Sequence, residues 1–354
     1  MAILFKFFLL LIFICLRPVL ASEECTNKNK LKVGLINNDY IDYQHYLYYE
    51  LGNYARERDI EFEIGIIEND IDNFDIIFGE FNQLKNLSVK EIQLPNKIKK
   101  FYEENDMEIK HNLLPLDLDT LVVLSNDSHS IKNLEEISNI YSPIKYTFGM
   151  NFNNNEDLLK LILFANHQQP IDPKSHTIES TLSFFIKLYS NTNKNILDAN
   201  FVELYNSYES NENLFTLFSD GILLYKNLQA SNFYIFPQKN YMWNEELGIF
   251  KNISNPIPYS YFGFSAYINN TNQVGLLCHF IKEDVRYNTF KNFNLQISPF
   301  SIKELKNFEN LPTGYEEIVN LKNKNLVDTS QFTLDQIDLI RGVIFGTKNF
   351  RDLI

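Results

Sequence analysis

The sequence predicts an α/β protein built from two lobes, and three observations support that prediction. The chain has 354 residues, enough for two domains of ordinary size. From residue 32 onward, short apolar runs alternate with stretches of helical periodicity, which is typical of mainly parallel sheets flanked by helices. Hydrophobic residues make up 45% of the chain and charged residues 22%, so both lobes can form packed cores.

The first third of the chain predicts one side of such a sheet. Strands are expected at 32–36, 60–67 and 74–79, and helices at 41–58 and 95–104. Polar and aromatic side chains follow the first and third strands. Because the carboxyl ends of parallel strands share one rim, we expect these side chains to bind a ligand there. They are Asn37, Asp39, Tyr40, Glu80, Phe81 and Asn82.

A long strand is predicted at 113–126. It carries Asp117 and Asp119 at alternate positions, so both carboxylates are expected on one face of the sheet. A carboxylate on a buried strand is costly unless it reaches solvent or a partner. The two residues are therefore candidates for ligand contact.

The remainder of the chain predicts a second, helix-rich lobe. Helices are expected at 130–140, 156–166, 177–189, 198–208, 212–218, 272–281 and 330–345, and strands at 146–150, 221–225, 233–236 and 262–268. The polar run 151–155 lies between a strand and a helix. Residues 237–261 contain three prolines and predict a long irregular loop that carries Tyr241, Trp243 and Tyr261.

The first 21 residues resemble an export signal. Lys6 precedes an apolar run at 7–16, and Val19 and Ala21 have the spacing of a cleavage site. We therefore expect cleavage near Ala21 and an exported protein. The mature chain would keep Cys25 and Cys278, which either form a disulfide or leave Cys278 as a free buried thiol.

Charge and motifs exclude several functions. The net charge of -13 disfavours nucleic acid as a partner. The sequence has no Gly-x-Gly-x-x-Gly, Gly-x-Ser-x-Gly, His-Glu-x-x-His or Cys-x-x-Cys motif, and its six histidines lack ligand spacing. We therefore expect neither an enzyme of these classes nor a bound metal or cofactor.

Four segments resemble the family 1 extracellular solute-binding proteins, the maltose-binding-protein-like receptors of ABC importers. They are Phe-Asp-Ile-Ile-Phe-Gly at 74–79, Leu-Pro-Leu-Asp-Leu-Asp-Thr-Leu-Val-Val-Leu-Ser-Asn at 114–126, Leu-Phe-Ser-Asp-Gly-Ile-Leu-Leu at 217–224, and the run from Phe262 to Val274. The resemblance implies the type II periplasmic-binding-protein-like fold, with hinge strands between the lobes. Lobe I would comprise 22–118 plus 262–295, and lobe II 119–261 plus 296–354.

The resemblance also implies roles for individual residues. Asp119 would occupy the crossover position that binds ligand hydroxyls, and Asn151 and Asn153 would lie in a second-lobe loop that meets the ligand. Tyr225 and Lys226 would follow a strand where members of the family place an aromatic contact. Trp243 could either stack on a solute or pack in the core.

The implied function is a monomeric periplasmic receptor that captures a small polar solute, a carbohydrate or polyol, and delivers it to permease subunits of an ABC transporter. A polyamine or another cation is an alternative, because Asp39, Glu80, Asp117 and Asp119 could form an anionic cage. A secreted glycan-active enzyme would need two carboxylates that face each other across a groove. A ligand-free adhesion or scaffold protein remains a third alternative.

Overall fold

A computed structural model shows an α/β fold of ten strands, ten α-helices and four 3-10 helices within the part of the chain that it describes. The described residues are 30–36, 41–67, 73–86, 94–105, 113–125, 134–165, 176–224, 232–235, 240–244, 249–253, 259–266, 271–282, 285–286, 301–307, 311, 314–322, 328–329 and 332–353. Within them, no helix combines the length and the apolar character needed to cross a membrane.

The first elements follow the predicted order of strands and helices. They are β1 (Lys30–Ile36), α1 (Ile41–Arg58), β2 (Glu61–Ile67), β3 (Ile76–Glu80), α2 (Phe81–Asn86), α3 (Asn96–Glu104) and β4 (Leu114–Ser125). Each differs from its predicted range by no more than two residues, except that α2 was not predicted. The long strand β4 is present where its apolar run predicted it.

The next elements form the helix-rich part of the chain. They are α4 (Leu134–Asn139), β5 (Tyr146–Gly149), α5 (Asn155–Ala165), α6 (His176–Ser190), α7 (Phe201–Glu209), β6 (Asn213–Ser219), β7 (Asn232–Ile235), β8 (Asn240–Asn244), β9 (Ile249–Ile253), β10 (Tyr259–Ala266), α8 (Thr271–Phe280), α9 (Tyr315–Lys322) and α10 (Leu334–Ile344). The 3-10 helices lie at Lys194–Ile196, Asp220–Leu224, Ile302–Asn307 and Phe350–Leu353.

Eight strands form one sheet in the order β2-β1-β3-β10-β4-β6-β5, with β7 also paired to β4. Strand β1 runs parallel to β2 and β3, and β5 runs parallel to β6. The two strands at the centre of this order are the exception to parallel pairing. Strand β10 is antiparallel to β3 and β4, and β4 is antiparallel to β6 and β7.

The core is divided at one point of β4. Leu118 belongs to a hydrophobic cluster formed by segments 31–118 and 262–285, whereas Leu121 belongs to a cluster formed by segments 121–217 and 340–344. A third cluster packs segments 122–223 and 305–319 on the other face of the second half of β4. Asp119 and Thr120 therefore lie between two separately packed halves of the molecule.

Three predicted segments differ from the structure. Residues 212–218 were predicted as a helix, but β6 is a strand, because its residues are buried on both faces and an apolar run of that kind has no distinguishing period. The predicted strand at 221–225 is a 3-10 helix at Asp220–Leu224. The predicted loop at 237–261 contains the antiparallel hairpin β8–β9 and the start of β10.

Candidate functional site

The candidate site begins at Asp119, the residue of β4 that separates the two cores. Its Oδ1 atom lies 3.1 Å from the Nζ atom of Lys160 on α5. The Lys160 side chain is 2% exposed and that of Asp119 is 15% exposed. The long aliphatic stem of Lys160 therefore places an ammonium group inside the protein at the point where the chain crosses from one core to the other.

Helix α5 is positioned by the asparagine-rich loop that precedes it. The side-chain oxygen of Asn151 accepts hydrogen bonds from the backbone N–H groups of Asn153 (2.9 Å) and Asn154 (3.0 Å). The side-chain oxygen of Asn154 accepts one from the backbone N–H of Asp157 (3.1 Å), within the first turn of α5. These bonds satisfy N–H groups that have no partner within a helix.

Glu156, one turn before Lys160, links α5 to α2 and to Thr329, which lies between α9 and α10. Its Oε1 atom accepts a hydrogen bond from Nδ2 of Asn82 on α2 (3.0 Å), and its Oε2 atom accepts one from the hydroxyl of Thr329 (2.8 Å). The backbone N–H of Thr329 donates to Oδ1 of Asn82 (2.9 Å). All three residues are buried. Both carboxylate oxygens of Glu156 thus have a donor, and the triangle joins residues from both sides of the divided core.

The ammonium of Lys160 is the centre of an acidic environment. Burial alone would lower the pKa of Lys160, but the surrounding carboxylates outweigh that effect and hold the pKa above its ordinary value. The carboxylates, in decreasing order of effect, are Asp119, Glu156, Asp157 and Glu80. The site therefore holds a protonated lysine and an excess of acidic side chains.

The pKa values of two of these acids, Asp157 and Glu156, are raised above their ordinary values. Burial raises the pKa of Asp157 to about 7, partly opposed by Lys160 and reinforced by Asp119 and Glu156. Burial also raises the pKa of Glu156, while Lys160 and the hydrogen bonds from its two donors act in the opposite direction. Near neutral pH, Asp157 thus exchanges between its carboxylate and its carboxylic acid.

The structure brings three predicted site residues into this cluster, namely Asp119, Asn82 and Glu80. The predicted site residue Phe81 instead lies in the first hydrophobic core and is 1% exposed. Asp117 is also buried, but it lies in the electrostatic surroundings of the Tyr46 hydroxyl, within the first half of the molecule. The two aspartates of β4 therefore have different environments.

The remaining predicted residues are distributed between described and undescribed parts of the chain. Asn151 donates to the carbonyl of Ala199 (3.0 Å), and Asn153 donates to Asp198, so both side chains bond within the second half. Tyr261 pairs with Leu118 in the sheet. Tyr241 and Trp243 are in β8 of the hairpin. Asn37, Asp39, Tyr40, Tyr225, Lys226 and Cys25 lie outside the described residues.

Cys278 is half-buried on α8 and forms no disulfide with another described residue, while Cys25 lies outside the described part of the chain. Its bond with Cys25 stays a prediction. The described residues contain no group of three or more His, Cys, Asp or Glu side chains arranged to hold a metal ion.

Four residues of the site were not predicted from the sequence, namely Glu156, Asp157, Lys160 and Thr329. Lys160 does have a sequence signal, because it is the single charge within the apolar run from Leu158 to Leu163. A lone charged residue on the buried face of a helix indicates a buried partner. Thr329 has no comparable local signal.

Comparison with solved structures assigns the fold. The maltose-bound MalE3 protein of T. maritima superimposes with a TM-score of 0.64 at 10% identity, covering 92% of this chain and 96% of that chain. A solute-binding protein from Agrobacterium radiobacter K84 in complex with ribitol gives a TM-score of 0.63 at 10% identity and the same coverage. The chain has the two-lobed fold of ABC-transporter solute-binding proteins.

The fold is shared with proteins of different specificity. The spermidine/putrescine substrate-binding protein PotD of Streptococcus pneumoniae gives a TM-score of 0.54 at 14% identity, covering 91% of this chain and 99% of that chain. No protein-family model matches the sequence, and no curated protein matches it. At these identities the likeness defines the fold, and the solute must be inferred from the site itself.

Proposed function

We propose that this protein is an exported solute-binding protein that captures a small, polar, hydroxyl-rich solute between its lobes and delivers it to an ABC transporter. The observation that supports it best is the convergence at one point of β4 of polar side chains from both halves of the molecule. Ligands of hinged two-domain proteins bind at such junctions, where closure removes the solute from water.

The chemistry of the site favours a solute that donates hydrogen bonds. Glu156 and Asp119 offer carboxylate oxygens, which accept hydrogen bonds and repel anions. The hydroxyls of a sugar or polyol can donate to these oxygens, as Asn82 and Thr329 do. A carboxylate or phosphate ester would instead meet an acidic surrounding, so we expect anionic solutes to be rejected.

A cationic solute is the second candidate, and one observation favours it. Four carboxylates surround the single ammonium of Lys160, and a polyamine needs at least three of them. A polyamine would however compete with Lys160 for Asp119. A neutral polyol needs no such exchange, and for this reason we place the hydroxyl-rich solute first.

The division of the chain into lobes is part of the same proposal. Lobe I would comprise 22–118 plus 262–295, and lobe II 119–261 plus 296–354. The two core clusters that meet around Asp119 support this division. Strand β4 would then form the hinge together with the start of β10, since β4 continues through the junction and Tyr259, the first residue of β10, pairs with Thr120 there. An export signal at residues 1–21 would direct the protein out of the cell.

A thermal-shift screen tests the proposal. Purified protein is heated with sugars, polyols, polyamines and amino acids, each in large excess. A solute at one hundred times its dissociation constant stabilises the folded state by roughly 2.7 kcal/mol. We expect a polyol or sugar to raise the midpoint temperature and the acidic amino acids to leave it unchanged.

Two variants control the screen. Asp119→Asn keeps the shape of the side chain but removes its charge, and we expect it to abolish the solute-dependent shift. Asp335→Asn makes the same change at an exposed position on α10 and is expected to retain the shift. A protein that no member of the four solute classes stabilises would refute the receptor function.

A further inference from the structure

The two described residues Asp328 and Thr329, here called the strap, reach from the second half of the molecule to the first. They lie between α9 and α10, and each of these helices packs into a second-half core, α9 through Tyr315, Ile318 and Val319 and α10 through Ile340, Val343 and Ile344. The chain does not need to return to the first half at this point. Its contacts there are therefore not imposed by a chain crossing.

Two neighbouring residues of the strap bind one face of α2. Asp328 forms an ion pair with Lys85, and the backbone N–H of Thr329 donates to Asn82. Asn82 and Lys85 are three residues apart, so they lie on the same face of the helix. Two adjacent strap residues thus contact α2 through separate bonds.

The strap also binds the second half of the molecule, through the side chain of Thr329. The hydroxyl of Thr329 donates to Glu156, which accepts a further bond from Asn82. Each of these three side chains is buried, so water does not compete with the bonds. Separation of the halves at this point would break the bond that Asn82 donates to Glu156 and the bond that it accepts from the backbone N–H of Thr329, and would hydrate these polar groups.

We propose that the strap, with Asn82 and Glu156, is a latch that holds the two lobes together through protein contacts alone. This inference rests on the proposed function, since it describes how the lobes of the receptor are held. According to this inference, the two lobes can also be held closed when no solute is bound. A solute whose hydroxyls donate to Glu156 would replace Asn82 and Thr329 as donors, so in the closed, solute-bound state the solute would take the place of the latch.

Small-angle X-ray scattering of the purified protein without solute tests the latch. Lys85→Met removes the ion pair with Asp328, while Asn82→Ala removes the bonds that join residue 82 to Glu156 and to Thr329, so each variant loses contacts between the two halves. We expect the radius of gyration to increase from wild type to Lys85→Met and further to Asn82→Ala. Far-UV circular dichroism verifies that each variant is folded.

Thr347→Val is the matched control. Its hydroxyl donates to the carbonyl of Gly342, so the bond that is lost lies entirely within the second half. We expect its scattering to equal that of wild type. If Asn82→Ala is folded and scatters as wild type does, the latch is refuted; where Asn82→Ala fails to fold, the same result for Lys85→Met refutes it. Since no solute is added, this result is independent of the thermal-shift screen that judges the receptor function.

Discussion

Replacing Lys160 by Met tests the electrostatic interpretation of the site. Methionine keeps the length and apolar stem of the side chain but removes the ammonium. The partner at 3.1 Å, Asp119, and three further carboxylates would then lack their shared cation. Removal of one partner from a buried ion pair typically lowers the free energy of unfolding by about 3–5 kcal/mol. We expect a loss within this range for Lys160→Met.

The magnitude follows from an asymmetry in the cluster. Lys160 interacts with four carboxylates, so its loss leaves several negative charges uncompensated. The opposite substitution, Asp119→Asn, leaves the ammonium with Glu80, Glu156 and Asp157. We therefore expect Asp119→Asn to cost less, about 1.5–3 kcal/mol, the range for a hydrogen bond to a charged group.

Urea unfolding followed by far-UV circular dichroism at pH 7.5 measures both costs. Acidification to pH 5 should reduce the cost of Lys160→Met, because the pKa values of Asp157 and Glu156 are already raised and both groups protonate early. The reasoning is refuted if Lys160→Met costs less than about 1 kcal/mol, the value of an exposed pair. It is also refuted if Asp119→Asn costs more.

Three further predictions follow from the structure. Burial raises the pKa of Asp157 to about 7, so the folded state holds a proton that the unfolded state releases. The free energy of unfolding should therefore fall as pH rises from 5 to 8. Asp157→Asn should flatten this dependence when urea unfolding is measured at several pH values. Gly263→Ala should lower the melting temperature, because its Cβ would lie 2.2 Å from a carbonyl oxygen of β4, whereas Gly52→Ala, which meets no atom within 4 Å, should not. Thr333→Ala should cost about 1 kcal/mol in the same unfolding assay, since it removes the capping box of α10.

Local patterns predicted most of the first half of the fold. The helix from Ile41 to Arg58 was predicted within its observed bounds, because its apolar residues recur at helical spacing. The apolar run of β4 indicated a long strand. Residues 213–219 could not be assigned in this way, since a segment that is buried on both faces carries no period that distinguishes a strand from a helix.

The site was predictable only in part. The alternation along β4 correctly indicated carboxylates that need partners, and Asp119 has one in Lys160. The identity of that partner depends on packing between segments 41 residues apart. The bond between Asn82 and Thr329 joins residues 247 positions apart, and no local pattern encodes it. Phe81 was predicted to contact a ligand but packs in the first hydrophobic core. A residue that follows a strand can face either the core or a ligand, and the local sequence does not distinguish the two.

The position of Lys160 explains how two opposing requirements are met in one place. Under the proposed function, a solute site between the lobes needs oxygen acceptors, and β4 and α5 would supply them as carboxylates. Buried carboxylates repel one another and destabilise the fold unless a cation lies among them. The ammonium of Lys160 compensates that charge from within α5, so that acceptor oxygens can be kept at the lobe junction. Once anions are rejected, selection among neutral solutes would depend on the geometry of their hydrogen bonds.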